Sequence, residues 1–183
     1  MSMPGPRFTY EDYKLMPEDK RYEVIEGELL MTPAPSSRHQ SILARLIAKL
    51  FISLEANGLG KVLPAPTDVI LSDENVVQPD LLFVAKERQG IIDPAGGVNG
   101  APDLVVEVLS PSTARRDQIV KRKLYAKYGV QEYWVVNPEA CSVEVSVLGA
   151  AGLETWRVFP AGTTLTSPLC PDLTVLVAEL FPE

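Results

Sequence analysis

The chain has 183 residues, 46% of them hydrophobic and 22% charged, with a formal net charge of −7 and two cysteines, Cys141 and Cys170. That composition fits one soluble globular domain over residues 1–183, with enough chain to bury a sizeable core. It excludes a disulfide framework and a cysteine zinc site, and it argues against holding nucleic acid by bulk positive charge, since phosphate neutralisation supplies most of such affinity.

The opening MSMPGPRFTYED has no apolar signal core, and the most apolar long segment, Ile42 to Leu54, is interrupted by Arg45 and Lys49. No membrane span is expected, and the expected compartment is the cytoplasm. Thr9 to Met16 reads as a short helix, with Thr9 as N-cap and Pro17 beyond its end. Tyr22–Ile25 and Glu28–Met31 flank Glu26-Gly27, the pattern of a two-residue hairpin turn. From Arg38 to Asn57, Leu43, Leu46, Ile47, Leu50 and Leu54 recur at helical spacing before an Asn57-Gly58 stop. His39 lies in the first turn on that stripe, where the helix dipole favours a neutral imidazole. A histidine bonded only to backbone is the alternative to a site role.

Lys61–Leu63 and Thr67–Leu71 read as strand material bent by Pro64 and Pro66, followed by a turn at Ser72–Asn75. VVQPDLLFV, Val76 to Val84, reads as one strand with Gln78, Asp80, Leu82 and Val84 on one face, and Pro79 marks an end, an edge or a bulge. Ala85 to Asp103 reads as a long glycine-containing loop. Leu104 to Leu109 is a buried strand with Glu107 among its apolar residues. A helix starts at Ser110-Pro111 and stops at Gly129; Glu132–Val136 is a strand, Ser142–Leu148 and Leu153–Phe159 form a hairpin, and Leu173–Phe181 packs onto the body. The order describes a mixed α/β domain with a central, mainly antiparallel sheet.

A carboxylate inside an apolar strand needs a partner, a metal or a raised pKa, unless Glu107 lies on a half-exposed polar face. Asp80 is the acid that can join it, because adjacent strands lie about 4.8 Å apart and two carboxylates in register can share a cation. Asp103, four residues before Glu107, is about 13 Å away along the strand and cannot. On an ideal helical wheel Asp117, Val120, Leu124 and Tyr128 fall within about 40° of the core direction, and Lys121 about 60° off it, while Arg115, Arg122 and Ala126 point away. Two carboxylates and a lysine are a minimal kit for metal-assisted phosphodiester hydrolysis, and oxygen ligands suit Mg²⁺ or Mn²⁺. A buried ion pair of Lys121 with Asp117 or Glu107 is the structural alternative.

The segments YEVIEGELLMTPAPSSRHQ, VQPDLLFV, GAPDLVVEVLSPSTARRD and KLYAKYGVQEYWVVNPE resemble the Uma-two family of endonucleases, part of the restriction-endonuclease-like PD-(D/E)XK superfamily, from about Phe8 to Phe181. The resemblance implies an α/β restriction-endonuclease-like core, a central four-stranded mixed sheet flanked by helices, with the N-terminal and C-terminal β-hairpins as additions. It implies Asp80 and Glu107 as catalytic metal carboxylates, helped by the backbone carbonyl near Val108, with Mg²⁺ or Mn²⁺ as cofactor. Leu109 stands where the motif has its lysine, so that function moves to Lys121, with Lys123 as fallback. His39 and Glu28 match recurrent family positions near the site, for proton transfer or support. Gln78 and Lys123 are the candidates for binding substrate.

The expected function is a Mg²⁺-dependent endonuclease acting on nucleic acid, DNA foremost. Two others stand beside it: a catalytically silent interaction or regulatory protein that keeps the fold, and a metal-dependent hydrolase of a small phosphorylated substrate. A homodimer joined through the C-terminal hairpin is an analogy with related nuclease domains.

Overall fold

The computed structural model describes residues 6–17, 19–111 and 116–181, with side chains except those at 116 and 117. The chain begins with helix α1 (Tyr10–Tyr13), where Thr9 and Asp12 form a reciprocal capping box. Strands β1 (Arg21–Ile25) and β2 (Glu28–Thr32) follow, joined through Glu26 and Gly27, whose φ values of 52° and 78° suit the tight hairpin turn their spacing predicts. Helix α2 (Ser37–Leu50) starts at Ser36, whose hydroxyl accepts from the His39 backbone N–H. It runs into a π-helical turn, Phe51–Glu55, that takes the place of the last predicted helical turns.

Next come β3 (Gly60–Pro64), β4 (Val69–Ser72), β5 (Asn75–Val77) and β6 (Leu81–Ala85). The stretch expected as one strand is therefore two, and they belong to different sheets. The break falls at Gln78-Pro79-Asp80, where proline has no N–H to give to a ladder. The expected long loop is also partly structured. It holds a 3₁₀ turn, Lys86–Ile91, and the short β7 (Val98–Asn99), and is pinned where Arg88 donates to Asp103 Oδ1 at 2.7 Å and to the Ala101 carbonyl.

Strand β8 (Leu104–Val108) leads, past residues 112–115, to a π-helical segment, Arg116–Lys121, and helix α3 (Arg122–Tyr128), which stops at left-handed Gly129. The expected start of this helix, with Arg115 and the Asp117 side chain, lies outside the described residues. Strands β9 (Glu132–Asn137), β10 (Ser142–Gly149) and β11 (Gly152–Pro160) follow, then the small pair β12 (Thr164–Leu165) and β13 (Val175–Leu176), and a 3₁₀ turn at Val177–Leu180.

The main sheet has six strands in the order β11-β10-β9-β8-β6-β3, and only β8 and β9 run parallel in it. Four adjacent strands at one side of it, β3-β6-β8-β9, are the expected four-stranded mixed unit, and the C-terminal hairpin continues it instead of standing apart. The N-terminal hairpin joins a second sheet, β2-β1-β5-β4-β7. Strand β8 is buried on both faces, as a strand beside a parallel neighbour should be. Leu104, Val106 and Val108 face α2 and the C-terminal segment, packing with Leu43, Leu46, Leu50 and Leu180. Val105 and Leu109 face the other way, with Leu124 and Tyr125 of α3 and residues of the second sheet. Period-two alternation then places Glu107 on the α3 side. No helix among the described residues is long and apolar enough to cross a membrane.

Candidate active site

The antiparallel register of β6 and β8 pairs Leu81 with Val106, Leu82 with Val105 and Phe83 with Leu104. One step beyond β6 in that register, Asp80 stands opposite Glu107. Opposed Cα atoms in such a ladder lie about 5 Å apart, within reach of one another's carboxylates. The ladder ends here because Pro79 breaks the strand, so an N–H that would have met backbone meets a side chain instead: Val108 N–H donates to Asp80 Oδ2 at 2.8 Å. The other contact on that oxygen is His39 Nε2, 3.1 Å away, carried in by the first turn of α2. Burial alone would lower the pKa of His39, but the hydrogen bond and charge of Asp80, with the Val108 backbone, outweigh it and hold the pKa above the ordinary histidine value. This direction is opposite to the one the helix dipole favours, because a carboxylate in contact acts more strongly than a helix end.

Glu107 meets its cation from the other side. Lys121 Nζ lies 2.9 Å from Glu107 Oε1 and 2.8 Å from Glu23 Oε1. Tyr125 donates its hydroxyl to Glu107 Oε1 at 2.8 Å, and Gln78 its backbone N–H to Glu23 Oε1 at 2.9 Å. Burial, then the charges of Glu107 and Glu23, push the Tyr125 phenol well above its ordinary pKa, so it stays a donor. Glu23, Glu107 and Lys121 are 2%, 3% and 4% exposed. Charges so buried persist only when paired and hydrogen-bonded, and these are.

The wheel reading of this segment needs correction. Val120, placed near its core direction, is 40% exposed, whereas Lys121, placed at the rim, is buried. The cause is the winding: Arg116–Lys121 is π-helical, with i→i+5 bonds, so steps of about 100° per residue misplace the stripe. Glu23 was missed altogether. The signal was nonetheless present, since Glu23 interrupts the apolar run of β1 as Glu107 interrupts that of β8.

Asp80, Glu107, Lys121, His39 and Gln78 all line one cleft of about 260 Å³, with the backbone of Val108 in its wall. Glu28 and Lys123 do not line it, and both are exposed. Glu28 sits beside the hairpin turn, opposite Ile25, whereas the cleft lies at the other end of that hairpin, about 13 Å along the strand. Lys123 lies two residues past the buried Lys121 and points outward. Gln78 lines the cleft but its side chain is engaged: Nε2 donates to Tyr13 and Asp68, and Oε1 accepts from Arg21. Asp103 is held by Arg88 and the Ala85 N–H, away from the pair.

Among the described residues no group of three or more His, Cys, Asp or Glu is arranged around a metal position. The donor set is two carboxylates, Asp80 and Glu107, with backbone oxygen nearby. That suits Mg²⁺, which keeps waters and substrate oxygens in its shell and takes only one or two carboxylates from the protein. Three acids, Glu23, Asp80 and Glu107, face Lys121 and His39 here, and Arg21 and the Arg38–Glu139 pair line the same cleft.

The family model of Uma2, described as "Putative restriction endonuclease", matches residues 9–178. Among solved structures, a crystal structure of a "putative nuclease" of the DUF820 family from Anabaena variabilis superposes with a TM-score of 0.78. It is 20% identical and covers 95% of this chain and 97% of its own, a similarity of fold. No curated protein matches the chain.

Proposed function

The chain belongs to the Uma2 family, and from that premise and its cleft we propose that it is a metal-dependent endonuclease hydrolysing phosphodiester bonds of nucleic acid, DNA foremost, with Mg²⁺ or Mn²⁺. The observation that carries the reading is the pairing of Asp80 with Glu107 across the open end of the sheet, with Lys121 Nζ 2.9 Å from Glu107.

Hydrolysis adds the oxygen of water to phosphorus, breaks one phosphorus–ester oxygen bond, and moves a proton from that water to the leaving oxygen. The ion would be held by Asp80, Glu107 and the Val108 carbonyl, and when bound it supplies Lewis-acid polarisation of the phosphate and acidifies water. The protein does the rest. Asp80 is fixed by Val108 N–H and His39, and Glu107 by Tyr125 and Lys121, so neither carboxylate must reorganise to bind. Lys121 places positive charge beside Glu107, where charge grows on the phosphate. His39, whose Nε2 lies 3.1 Å from Asp80 Oδ2, is the group placed to give a proton to a leaving oxygen.

One observation favours the silent, fold-retaining reading: Lys121 is 4% exposed and held between two carboxylates, as a structural ion network would hold it. Cleavage of single-stranded DNA, duplex DNA, RNA and a chromogenic phosphodiester, each with Mg²⁺, with Mn²⁺ and with EDTA, decides between them. Metal-dependent cleavage of a polynucleotide, lost at least about 100-fold in Asp80→Ala and Glu107→Ala, is the expected outcome. Cleavage of the small diester alone supports a small phosphorylated substrate. No cleavage by the parent, or equal cleavage by both variants, contradicts the proposed mechanism.

A further inference from the structure

Among the described residues, the charges lining the cleft pair off except at Arg21. Lys121 is taken by Glu23 and Glu107, His39 by Asp80, and Arg38 by Glu139 and the Pro138 carbonyl. Arg21 is left. Its Nε donates to Gln78 Oε1 at 2.9 Å, and it makes no ion pair among the described residues. Its terminal guanidinium N–H groups therefore remain for something else.

That arginine is held in place by a chain of hydrogen bonds. Gln78 Nε2 donates to Asp68 Oδ1 at 2.8 Å and to the Tyr13 hydroxyl at 3.0 Å, and Tyr13 donates to the same Asp68 oxygen at 2.6 Å. With its amide nitrogen so fixed, Gln78 must present its oxygen to Arg21. A planar guanidinium anchored through Nε leaves its outer edge aimed as a fork, the geometry that takes two oxygens of a phosphate.

The surroundings point the same way. Arg21 opens β1 opposite Thr32, the last residue of β2, and both line the cleft. Three buried side-chain polar atoms lack a partner among the described residues, and two of them, Thr32 Oγ1 and His39 Nδ1, belong to residues of this cleft wall. Orphaned polar atoms of this kind are rare in native structures and mark places where a ligand or ordered water completes the bonding.

We propose that Arg21 is the phosphate-recognition residue of this cleft, gripping a non-bridging oxygen pair of the nucleic-acid backbone, and that Gln78 is its positioning residue. This rests on the phosphodiesterase reading above. It also gives Gln78 a role through Arg21 in place of direct substrate binding. An acidic protein needs such a local cation to meet a polyanion at all.

The test is fluorescence anisotropy of a labelled oligonucleotide, single-stranded and duplex, in EDTA so that nothing is cleaved, over a series of salt concentrations. Arg21→Ala should weaken binding about tenfold or more, and should flatten the slope of log affinity against log salt by about 0.7 for the single strand or about 0.9 for the duplex, one phosphate contact. Arg21→Lys should keep the slope but bind more weakly than the parent, because the charge stays and the fork is lost. Gln78→Ala should weaken binding with the slope unchanged. Mn²⁺ binding, followed by the loss of the free-ion EPR signal, should be the same in the Arg21 variants as in the parent. If the parent cleaves in a metal-dependent way while Arg21→Ala keeps its affinity and slope, the role of Arg21 is overturned and the nuclease reading stands. If the parent neither binds the oligonucleotides nor cleaves, both fall together.

Discussion

Lys121 carries the most tension of any side chain here, since its ammonium lies within 2.9 Å of two carboxylates and almost no water reaches it. Removing one member of a buried ion group strands the others. Lys121→Met would take the shared ammonium from between Glu23 and Glu107, and we expect a loss of about 3–5 kcal/mol in urea unfolding. A loss below about 1 kcal/mol would show that the three groups are not ionised together in the folded protein. Much of this cluster was legible residue by residue. A glutamate inside LVVEVL announces a partner, and Asp80 was the acid with the right spacing. Glu23 carried the same mark within Tyr22–Ile25, but nothing in one sequence told that β1, in a second sheet, would set Glu23 beside Lys121. The upward direction of the His39 pKa escaped too, because it depends on Asp80, 41 positions away in the chain.

At the scale of elements, what the sequence could not display was irregular winding. The apolar repeat of α2 was clear because regular helices keep their period, and its core residues Leu43, Leu46 and Leu50 are buried. The segment before α3 does not keep that period, and its π-helical turn brings Lys121 inward while Ile119 and Val120 face out. Pro79 gave fair warning of a strand end, although not that β5 and β6 would part into two sheets. Helix α3 is also tied to the main sheet by Arg122, which ion-pairs with Glu144 of β10, where Thr155 donates to the same carboxylate oxygen. Burial would raise the pKa of Glu144, but Thr155 and Arg122 outweigh it and leave it below the ordinary 4.5. The sign follows: the folded carboxylate holds its proton less readily than the unfolded one, so it contributes stability above the ordinary value that is lost as pH falls through the folded one. Glu144→Gln should therefore melt below the parent near neutral pH, and the gap should close in acid below the ordinary 4.5. A gap that stays constant across that range would mean that the tie does not depend on charge.

For the whole molecule, the fold was readable in outline and corrected in extent. Strands β3, β6, β8 and β9 form the mixed unit the family resemblance implied, and the β10–β11 hairpin lengthens it to six because its backbone pairs on with β9 in register from Asn137 to Glu132. The second sheet is long-range. Its β4 and β5 are a local hairpin at the expected turn, but β1 pairs with β5 and β4 with β7 across dozens of residues, and no local pattern specifies those two pairings. This second sheet also completes the cleft, by supplying Arg21 and Glu23 to the end of the main sheet where Asp80 and Glu107 meet. A protein of net charge −7 thus carries a cleft in which, among the described residues, Arg21 makes no ion pair, consistent with recognition by a built site and not by its general field.

The central claim is that Asp80 and Glu107 together form a divalent-metal site, and isothermal titration of the protein with Mn²⁺ tests it most directly. One saturable site per chain, abolished in Asp80→Asn and in Glu107→Gln while both variants still fold, is the predicted result. Titration without a saturable site in the parent, or with the site intact in both variants, would contradict it.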